Sequence, residues 1–430
     1  MKLGIIGSGM IGLSAANELC SNHEVWVIEK NQDIGGLISS FKFEGKYDLD
    51  KFYRHIYHGD QKLIRFLEEL GLEKDINWFH SKMGIFYKGK MHGFGKPMEL
   101  LKFKGWSLLD KLRFAIATLK IARLKDWKRL ENIPAEVYLR KIVGKRVYET
   151  LWRPLLVSKF GDDYKTVPMS WFWNKIVYRM GTRKKLAKEE QAYLLGSFQK
   201  IVDKIVDKVE KNNGKVLSNS EIKEIKEKDG KISIKIKNKN YLFDKVIFTP
   251  AVPILKNITK GLSPDYVKNL EKIRYQGVIV GVLSLKNSFM PYYWLNILDQ
   301  NSPFVMLMEH TNFVPRRYYG GKNILYISRY ISTKDELYNK SDKEILKTFT
   351  NYLKKINPAF KEDWINKNYL FKSEYGTHSP GLNYSRDIPS MKTPIKNLYL
   401  ATGCQIYPVD RGMSESIALG KKIAKFIFEE

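Results

Sequence analysis

Cysteine is scarce in this chain of 430 residues, and its scarcity excludes two kinds of architecture. The two cysteines, Cys20 and Cys404, cannot build the disulfide framework of a small secreted domain. The seven histidines join them in no cluster with zinc spacing, so we expect no metal site. A reducing, cytoplasmic setting fits this composition best.

Long apolar runs and familiar catalytic groupings are also missing. No stretch approaches the roughly 20 apolar residues that span a bilayer, and the apolar N-terminus reads as strand and helix rather than as a signal peptide. We find no paired carboxylates, no Ser/His/Asp set, no repeats and no long linker. Their absence is consistent with an enzyme whose bound cofactor carries the chemistry.

Acidic residues are few beside basic ones, 46 against 74, which gives a formal net charge of +28. Such a charge favours anionic partners: membrane surfaces, nucleic acid or phosphorylated substrates. No recognition motif for nucleic acid accompanies it, so nucleic acid is disfavoured.

Part of this charge lies in an amphipathic segment, residues 107–127, that we expect to be helical. One face carries Leu108, Leu112, Ala115, Ile116 and Leu119, and most of the basic residues lie elsewhere. Two interpretations remain open: a helix packed on the core whose charged face is solvated, or a helix lying in a membrane interface. The second adds peripheral membrane association to a cytoplasmic location.

A glycine-rich turn near the N-terminus is the strongest local signal. The apolar run Lys2–Ile6 predicts a buried strand, and residues 10–19 have helical spacing. Between them GSGMIG matches GxGxxG, and a second strand ends in Glu29, whose carboxylate suits ribose hydroxyls. This order predicts a dinucleotide site and disfavours NADP at Glu29. The binding residues predicted here are Gly7, Ser8, Gly9, Met10, Ile11, Gly12 and Glu29.

Two further motifs indicate which dinucleotide binds. DIGGLI at residues 33–38 places a glycine pair soon after Glu29, and YPVDRGMSES at residues 407–416 follows a predicted strand and opens a helix. With these motifs the sequence resembles the FAD-dependent amine oxidase, protoporphyrinogen oxidase and phytoene desaturase superfamily. The closing motif is most similar to protoporphyrinogen-oxidase-like proteins of prokaryotes.

The resemblance implies FAD as cofactor and extends through the middle of the chain. Residues 196–203 are similar to the helix start that returns the chain to the cofactor domain. A strand at residues 243–248 with Thr249-Pro250 after it is similar to the segment beside the cofactor. The resemblance adds these cofactor-binding residues: Gly35, Gly36, Leu37, Ile222, Gly403, Arg411, Gly412, Met413 and Ser414.

The implied fold is α/β, a discontinuous Rossmann-like FAD-binding domain with an inserted α+β substrate domain. We assign residues 1–77, 190–260 and 385–430 to the FAD domain. Residues 78–189 and 261–384 form the substrate domain with its helical cap. Within it we expect a hairpin at 81–94, strands at 278–285, 304–309 and 323–330, and a helix near 342–355.

The stretch KFYRHIYH at residues 51–58 supplies the catalytic candidate. It is similar to the His-rich segment of UDP-galactopyranose mutase, which implies that His55 lies near the flavin ring. A neutral imidazole there can hydrogen-bond the flavin or move a proton. The alternative is a structural pair that holds the loop, an interpretation we favour for His58.

Taken together, the sequence predicts an FAD-dependent oxidoreductase that passes a substrate hydride to flavin N5. The basic amphipathic segment favours a small-molecule substrate that is hydrophobic or lipid-linked. Two alternatives remain: a UDP-galactopyranose-mutase-like enzyme acting on a nucleotide sugar, and a non-catalytic flavin- or lipid-binding protein.

Overall fold

A computed structural model describes residues 1–181, 190–410 and 412–429. Its strands are β1 Lys2–Ile6, β2 Glu24–Ile28, β3 Ser40–Phe43, β4 Tyr47–Asp50, β5 Ile76–His80, β6 Met83–Tyr87, β7 Lys90–Gly93, β8 Glu190–Leu194, β9 Lys215–Leu217, β10 Ile222–Lys228, β11 Lys231–Ile236, β12 Lys239–Phe243, β13 Lys245–Phe248, β14 Arg274–Leu285, β15 Trp294–Ile297, β16 Met306–Glu309, β17 Asn323–Ile331, β18 Ile365–Ser379 and β19 Leu398–Leu400. Its α-helices are α1 Met10–Leu19, α2 Gln61–Glu69, α3 Pro97–Lys102, α4 Leu108–Arg123, α5 Ala135–Val143, α6 Lys145–Val147, α7 Arg153–Phe160, α8 Met169–Gly181, α9 Gln199–Lys211, α10 Val252–Ile258, α11 Pro264–Glu271, α12 Glu336–Asn339, α13 Asp342–Ile356 and α14 Met413–Phe426.

The first sheet is five-stranded and entirely parallel, in the order β19-β13-β1-β2-β9. Its β1 strand is buried on both faces, which explains the unbroken apolar run in the sequence. Leu3 and Ile5 pack with α1, α9 and α14, while Ile6 packs with the antiparallel sheet β10-β11-β12. The predicted Rossmann-like α/β fold is confirmed, and its strands come from widely separated parts of the chain.

The second sheet has seven strands in the order β18-β14-β17-β16-β15-β6-β7. It is antiparallel except for the parallel pair β15 and β6. Side chains of β14 alternate between two cores: Ile279 and Leu283 pack beneath α13, while Val278 and Val280 face the core around α1. This alternation leaves one face of the sheet turned toward the core around α1.

A layer of helices, α3 to α8, forms the cap. It has a core of its own, built from large side chains such as Trp106, Leu139, Phe160 and Trp171. A π-helical turn at Tyr148–Trp152 joins α6 to α7. Among the described residues, no helix combines the length and the apolar character that crossing a bilayer requires.

Most predicted elements of the substrate region are present. The hairpin expected at 81–94 is β6 and β7, and the expected strands are β14, β16 and β17. The strand predicted at 243–248 is wrong as a single element, because Asp244 separates β12 from β13 and accepts from the Lys2 amide at 2.7 Å. The domain boundaries given above stay predictions.

The orientation of α4 corrects one interpretation of the basic segment. The face with Leu108, Leu112 and Leu119 is exposed, and so are Ala115 and Ile116, so the apolar face seen in the sequence is not the face that packs on the core. The helix instead buries Ala117 and Ile121, together with Lys111, whose ammonium donates to the Leu101 carbonyl at 2.6 Å.

Candidate cofactor and active site

The glycine turn joins β1 to α1 in the predicted way. A Cβ on Gly12 would lie 2.1 Å from the Gly7 carbonyl oxygen, so only glycine allows the helix to approach the strand so closely. A Cβ on Gly9 would meet no protein atom within 4 Å. Gly9 caps α1 without any side-chain hydrogen bond, which leaves backbone N–H groups of the first turn available to a ligand.

Hydrogen bonds of Ser8 connect the glycine turn with the end of β2 and with the glycine-pair loop. Its amide and hydroxyl donate to the Glu29 carboxylate at 3.0 and 2.8 Å, and its hydroxyl accepts from the Gly35 amide at 3.0 Å. The Asn31 amide donates to the other Glu29 oxygen at 3.0 Å. Gly35 has φ +116°, a backbone angle that residues with a side chain rarely adopt. The contact between the Gly35 amide and the Ser8 hydroxyl therefore requires glycine at this position. Glu29 is therefore held in one orientation.

The C-terminal motif brings a second helix start to the same place. Gly412 caps α14, also without a side-chain hydrogen bond, and Met413 begins the helix. The N-termini of α1 and α14 both border one cavity, so two positive helix ends face a common space.

This cofactor cavity has a volume of about 670 Å³. The predicted residues that line it are Gly7, Gly9, Met10, Ile11, Glu29, Gly35, Gly36, Leu37, Ile222, Gly403, Gly412 and Met413. Ser8 and Gly12 lie behind its wall, and Ser414 lines a neighbouring cavity instead. Arg411 lies outside the described residues.

Other cavity residues were only partly anticipated. Thr249 and Pro250 line the wall, as the strand-then-Thr-Pro pattern suggested. Tyr375 and His378 also line it from β18, a strand whose residues show no clear period. Cys404 is fully buried and does not reach the cavity wall.

The cavity fits a dinucleotide. The open side of Gly9 and two uncapped helix starts suit a pyrophosphate, and the oriented Glu29 carboxylate suits ribose hydroxyls. The backbone of the Gly35-Gly36 loop continues along the same wall. These residues would hold the cofactor.

A second cavity of about 390 Å³ adjoins the first. Leu37, Arg54, Gly412 and Met413 line both. The aromatic residues on its wall are Phe52, Tyr53, His55, Tyr57, Tyr178, Trp294 and Tyr330. We call this second cavity the substrate cavity, because a molecule bound in it would border the cofactor cavity directly.

His55 lies in the wall of the substrate cavity and does not line the cofactor cavity, so its place near the flavin ring stays a prediction. Its Nδ1 is 3.0 Å from the Tyr293 hydroxyl oxygen. Burial, together with the nearby cations Arg179, Arg54 and Lys175, lowers the pKa of His55 to about 3. The imidazole is therefore neutral at ordinary pH. His58 instead stacks on Trp78 with ring centroids 3.7 Å apart.

A buried ion cluster was missed by the sequence reasoning. Lys159 donates to Asp410 at 2.6 Å, and Lys175 contacts the same carboxylate. Burial by itself raises the pKa of Asp410, but the two ammonium groups outweigh it and hold that pKa well below its usual value. The pKa of Lys175 is lowered by burial. All three groups line the substrate cavity.

Asp60 links the substrate cavity to the helices around it. Its carboxylate accepts from the Tyr57 amide at 2.8 Å, the Tyr178 hydroxyl at 2.7 Å and the Ser414 hydroxyl at 3.0 Å. These donors belong to the KFYRHIYH segment, α8 and α14. Burial raises the pKa of Asp60. Asp60 thus fixes the start of α14 against the helical cap.

Comparison with known proteins agrees with this geometry. The model of the flavin containing amine oxidoreductase family matches residues 10–405. An uncharacterized protein of Methanocaldococcus jannaschii is 28% identical over 256 residues, which span 57% of this chain and 58% of that relative. The chain thus matches somewhat more than half the length of this curated relative.

Two solved structures share the fold. One, from Exiguobacterium sp. 255-15 and assigned as a protoporphyrinogen oxidase, has a TM-score of 0.79 at 15% identity and covers 100% of this chain and 99% of its own. A reduced UDP-galactopyranose mutase has a TM-score of 0.76 at 16% identity, with 100% and 95% covered. The family match over most of the sequence is the decisive finding: the chain belongs to the flavin containing amine oxidoreductase family and shares its FAD cofactor and oxidoreductase class.

Proposed function

We propose that the protein oxidises a hydrophobic or lipid-linked substrate bound in the substrate cavity. When bound, FAD supplies the hydride acceptor, N5 of its flavin ring. The observation that carries the proposal is the aromatic wall of this cavity and its junction with the cofactor cavity at Leu37, Arg54, Gly412 and Met413. Aromatic side chains offer large apolar contact area, and few polar groups are needed to orient a ligand among them.

The charges around the cavity support a neutral or anionic substrate. Among the residues that the structure describes, the cavity is lined by four basic ones, Arg54, Lys159, Lys175 and Arg179, and by three acidic ones, Asp60, Asp410 and Glu415. Asp410 is already paired with two of the lysines. A cationic amine therefore meets no spare carboxylate at Asp410, and the net charge of +28 does not steer it inward.

His55 is the residue we propose for proton movement. Its neutral imidazole can accept a proton from the substrate, and the Tyr293 hydroxyl at Nδ1 orients the ring. Trp294 lies beside it, with ring centroids 5.8 Å apart, and positions an apolar substrate against the imidazole.

Anaerobic mixing of the FAD-loaded protein with polyprenoids, porphyrinogens, amines and nucleotide sugars tests the proposal. We expect the flavin absorbance to bleach with polyprenoids or porphyrinogens. Trp294→Ala should lower the affinity for that substrate about tenfold, the loss expected when aromatic contact is removed. The matched control Trp78→Ala, an aromatic residue outside the cavity, should leave it unchanged. Bleaching by amines alone would overturn the proposal.

A second candidate is an isomerisation of a nucleotide sugar, because the four cations around the cavity also suit a diphosphate. Its test is conversion of UDP-galactopyranose by the reduced protein without an external electron acceptor. Such turnover would replace the oxidase proposal. A flavin that resists reduction by every compound and by dithionite would instead indicate a non-catalytic flavoprotein.

A further inference from the structure

An apolar surface protrudes from the helical cap. Of the fifteen large apolar side chains exposed among the described residues, seven belong to α3 and α4: Met98, Leu101, Leu108, Leu109, Leu112, Ile116 and Leu119. Leu108 and Leu109 are 75% and 79% exposed. We call these seven residues the 98–119 surface. Seven exposed apolar side chains on two contacting helices differ from the single exposed leucines of ordinary protein surfaces and are typical of an interaction site.

The packing of α4 on the cap core keeps the 98–119 surface exposed to solvent. Ala117 and Ile121 are buried on the opposite side, and Lys111 is buried with its ammonium on the Leu101 carbonyl. After the helix, the Leu124 carbonyl accepts from the Trp173 indole at 2.9 Å, which ties this end to α8. Rotating α4 to hide its leucines would break these contacts. The exposure is therefore a property of the fold.

The surroundings of the surface are strongly basic. Residues 96–129 contain ten basic and three acidic side chains, a net charge of +7. Each acid is already engaged: Glu99 accepts from the Gly95 and Lys96 amides, Asp110 caps α4 and pairs with Arg146, and Asp126 pairs with Arg129. The exposed basic residues around the surface are Lys96, Lys102, Lys104, Arg113, Lys120, Arg123 and Lys125.

We propose that the 98–119 surface docks on an anionic lipid bilayer, with its leucines among the headgroups and its basic residues against lipid phosphates. An apolar stripe with cationic flanks is the pattern of interfacial helices. Arg123, on the apolar side, can extend its guanidinium to the phosphates. A second copy of the chain is a poor occupant, because two such surfaces would place +7 against +7. This inference does not depend on the proposed function.

Docking there would bring the substrate cavity near the membrane. The helix α8, tied to the end of α4 through Trp173 and Leu124, carries four cavity residues: Asn174, Lys175, Tyr178 and Arg179. The cavity therefore lies one helix layer behind the proposed bilayer contact.

Co-sedimentation of the FAD-loaded protein with vesicles tests the inference. We expect binding to phosphatidylcholine vesicles that contain phosphatidylglycerol, little binding to phosphatidylcholine alone, and weaker binding at high salt. The triple variant Leu108→Ser, Leu109→Ser, Leu112→Ser should bind at least about tenfold more weakly, since apolar area is lost from the contact. The control Leu242→Ser changes an exposed leucine on β12 and should bind as the parent does.

Charge is tested separately. Lys120→Gln with Arg123→Gln should weaken binding about fivefold for each charge removed. The matched pair Lys235→Gln with Lys239→Gln, on the β11–β12 hairpin, should have a much smaller effect. Unchanged binding in the leucine variant, or equal effects of the two charge pairs, would overturn the proposal. Absence of vesicle binding would overturn it as well. A dimer that the leucine variant dissociates would then show that the surface binds a second copy of the chain.

Discussion

At single residues, burial decides which ionisable groups of this protein carry charge. His55 and His310 have their pKa lowered to about 3, while burial raises the pKa of Asp50 to about 6 and that of Glu309 to about 7. Only His55 of these four lines the substrate cavity. Burial keeps its imidazole neutral but also makes it a weak base, so a proton that it accepts must be passed on, whereas the other three groups belong to the packing.

His55→Ala should leave FAD bound but slow flavin reduction by substrate about 100-fold, the lower range for loss of an acid–base group. His55 lines the substrate cavity and not the cofactor cavity, so cofactor affinity is spared. Stopped-flow reduction measures the rate. The control His58→Ala removes an imidazole that stacks on Trp78 outside the cavity, and its reduction rate should match the parent. Equal rates for both variants would remove His55 from the mechanism.

Glu309 gives a prediction about pH. Its Oε2 accepts from the Phe289 and Met290 amides, and burial favours the protonated carboxyl. The folded-state pKa is raised, so this stabilisation is full below the unfolded pKa and is lost as pH rises through about 7. Glu309→Gln stays neutral. It should therefore gain on the order of 1–3 kcal/mol of unfolding free energy over the parent between about pH 5 and pH 8.

Denaturant unfolding of both proteins across this pH range measures the difference. Glu336→Gln, the same substitution at an exposed position, is the matched control. A difference for Glu309→Gln that does not grow with pH would contradict the assigned ionisation.

At the scale of elements, sequence patterns predicted the helices and strands that are determined by residues close together in the chain. The glycine turn, the helix α1 and the strand pair β1 and β2 follow from residue spacing alone, and they carry the cofactor motifs. The strand β18 was missed because INKNYLFKSEYGTHS is only partly buried and shows no alternation. For α4 the helix was predicted correctly, but its orientation depends on Lys111 and Trp173, which local periodicity does not reveal.

The same limit applies to the active site. Glu29, the glycine pair and the start of α14 were found by motif. The substrate cavity was not, because Lys159, Tyr178 and Trp294 come from separate elements that only the tertiary fold brings together.

Two glycines at the start of α1 should respond differently to alanine. Gly9→Ala places a methyl group in the cofactor cavity without touching protein, so the apoprotein should keep its stability while FAD affinity falls at least about tenfold. Gly12→Ala drives its Cβ against the Gly7 carbonyl, so it should lose about 1–3 kcal/mol of stability as well. Calorimetric unfolding and FAD titration separate the two. Equal losses of stability would refute the distinction.

At the scale of the whole molecule, distant parts of the chain meet at the cofactor cavity. Gly9, Ile222 and Met413 line the same space, although the first two are 213 positions apart in sequence and the last two are 191 positions apart. A ligand bound only by the folded protein therefore stabilises all of these segments at once.

Adding FAD to the deflavinated protein at about 100 times its dissociation constant should raise the unfolding free energy by about 2.7 kcal/mol. Guanidinium unfolding monitored by circular dichroism, with and without FAD, measures the gain. Gly9→Ala at the same FAD concentration should gain less. An identical midpoint for apoprotein and FAD-loaded protein would contradict a shared site.

The hydroxyl of Ser8, which joins Glu29 to Gly35, also constrains how this protein can evolve. Changing Glu29 alone leaves the buried Ser8 hydroxyl without its acceptor. Moving the loop at Gly35 leaves the Gly35 amide without its acceptor. Substitutions at the three positions are therefore epistatic: the effect of each depends on the other two. A lineage adopting a different coenzyme would have to change them together.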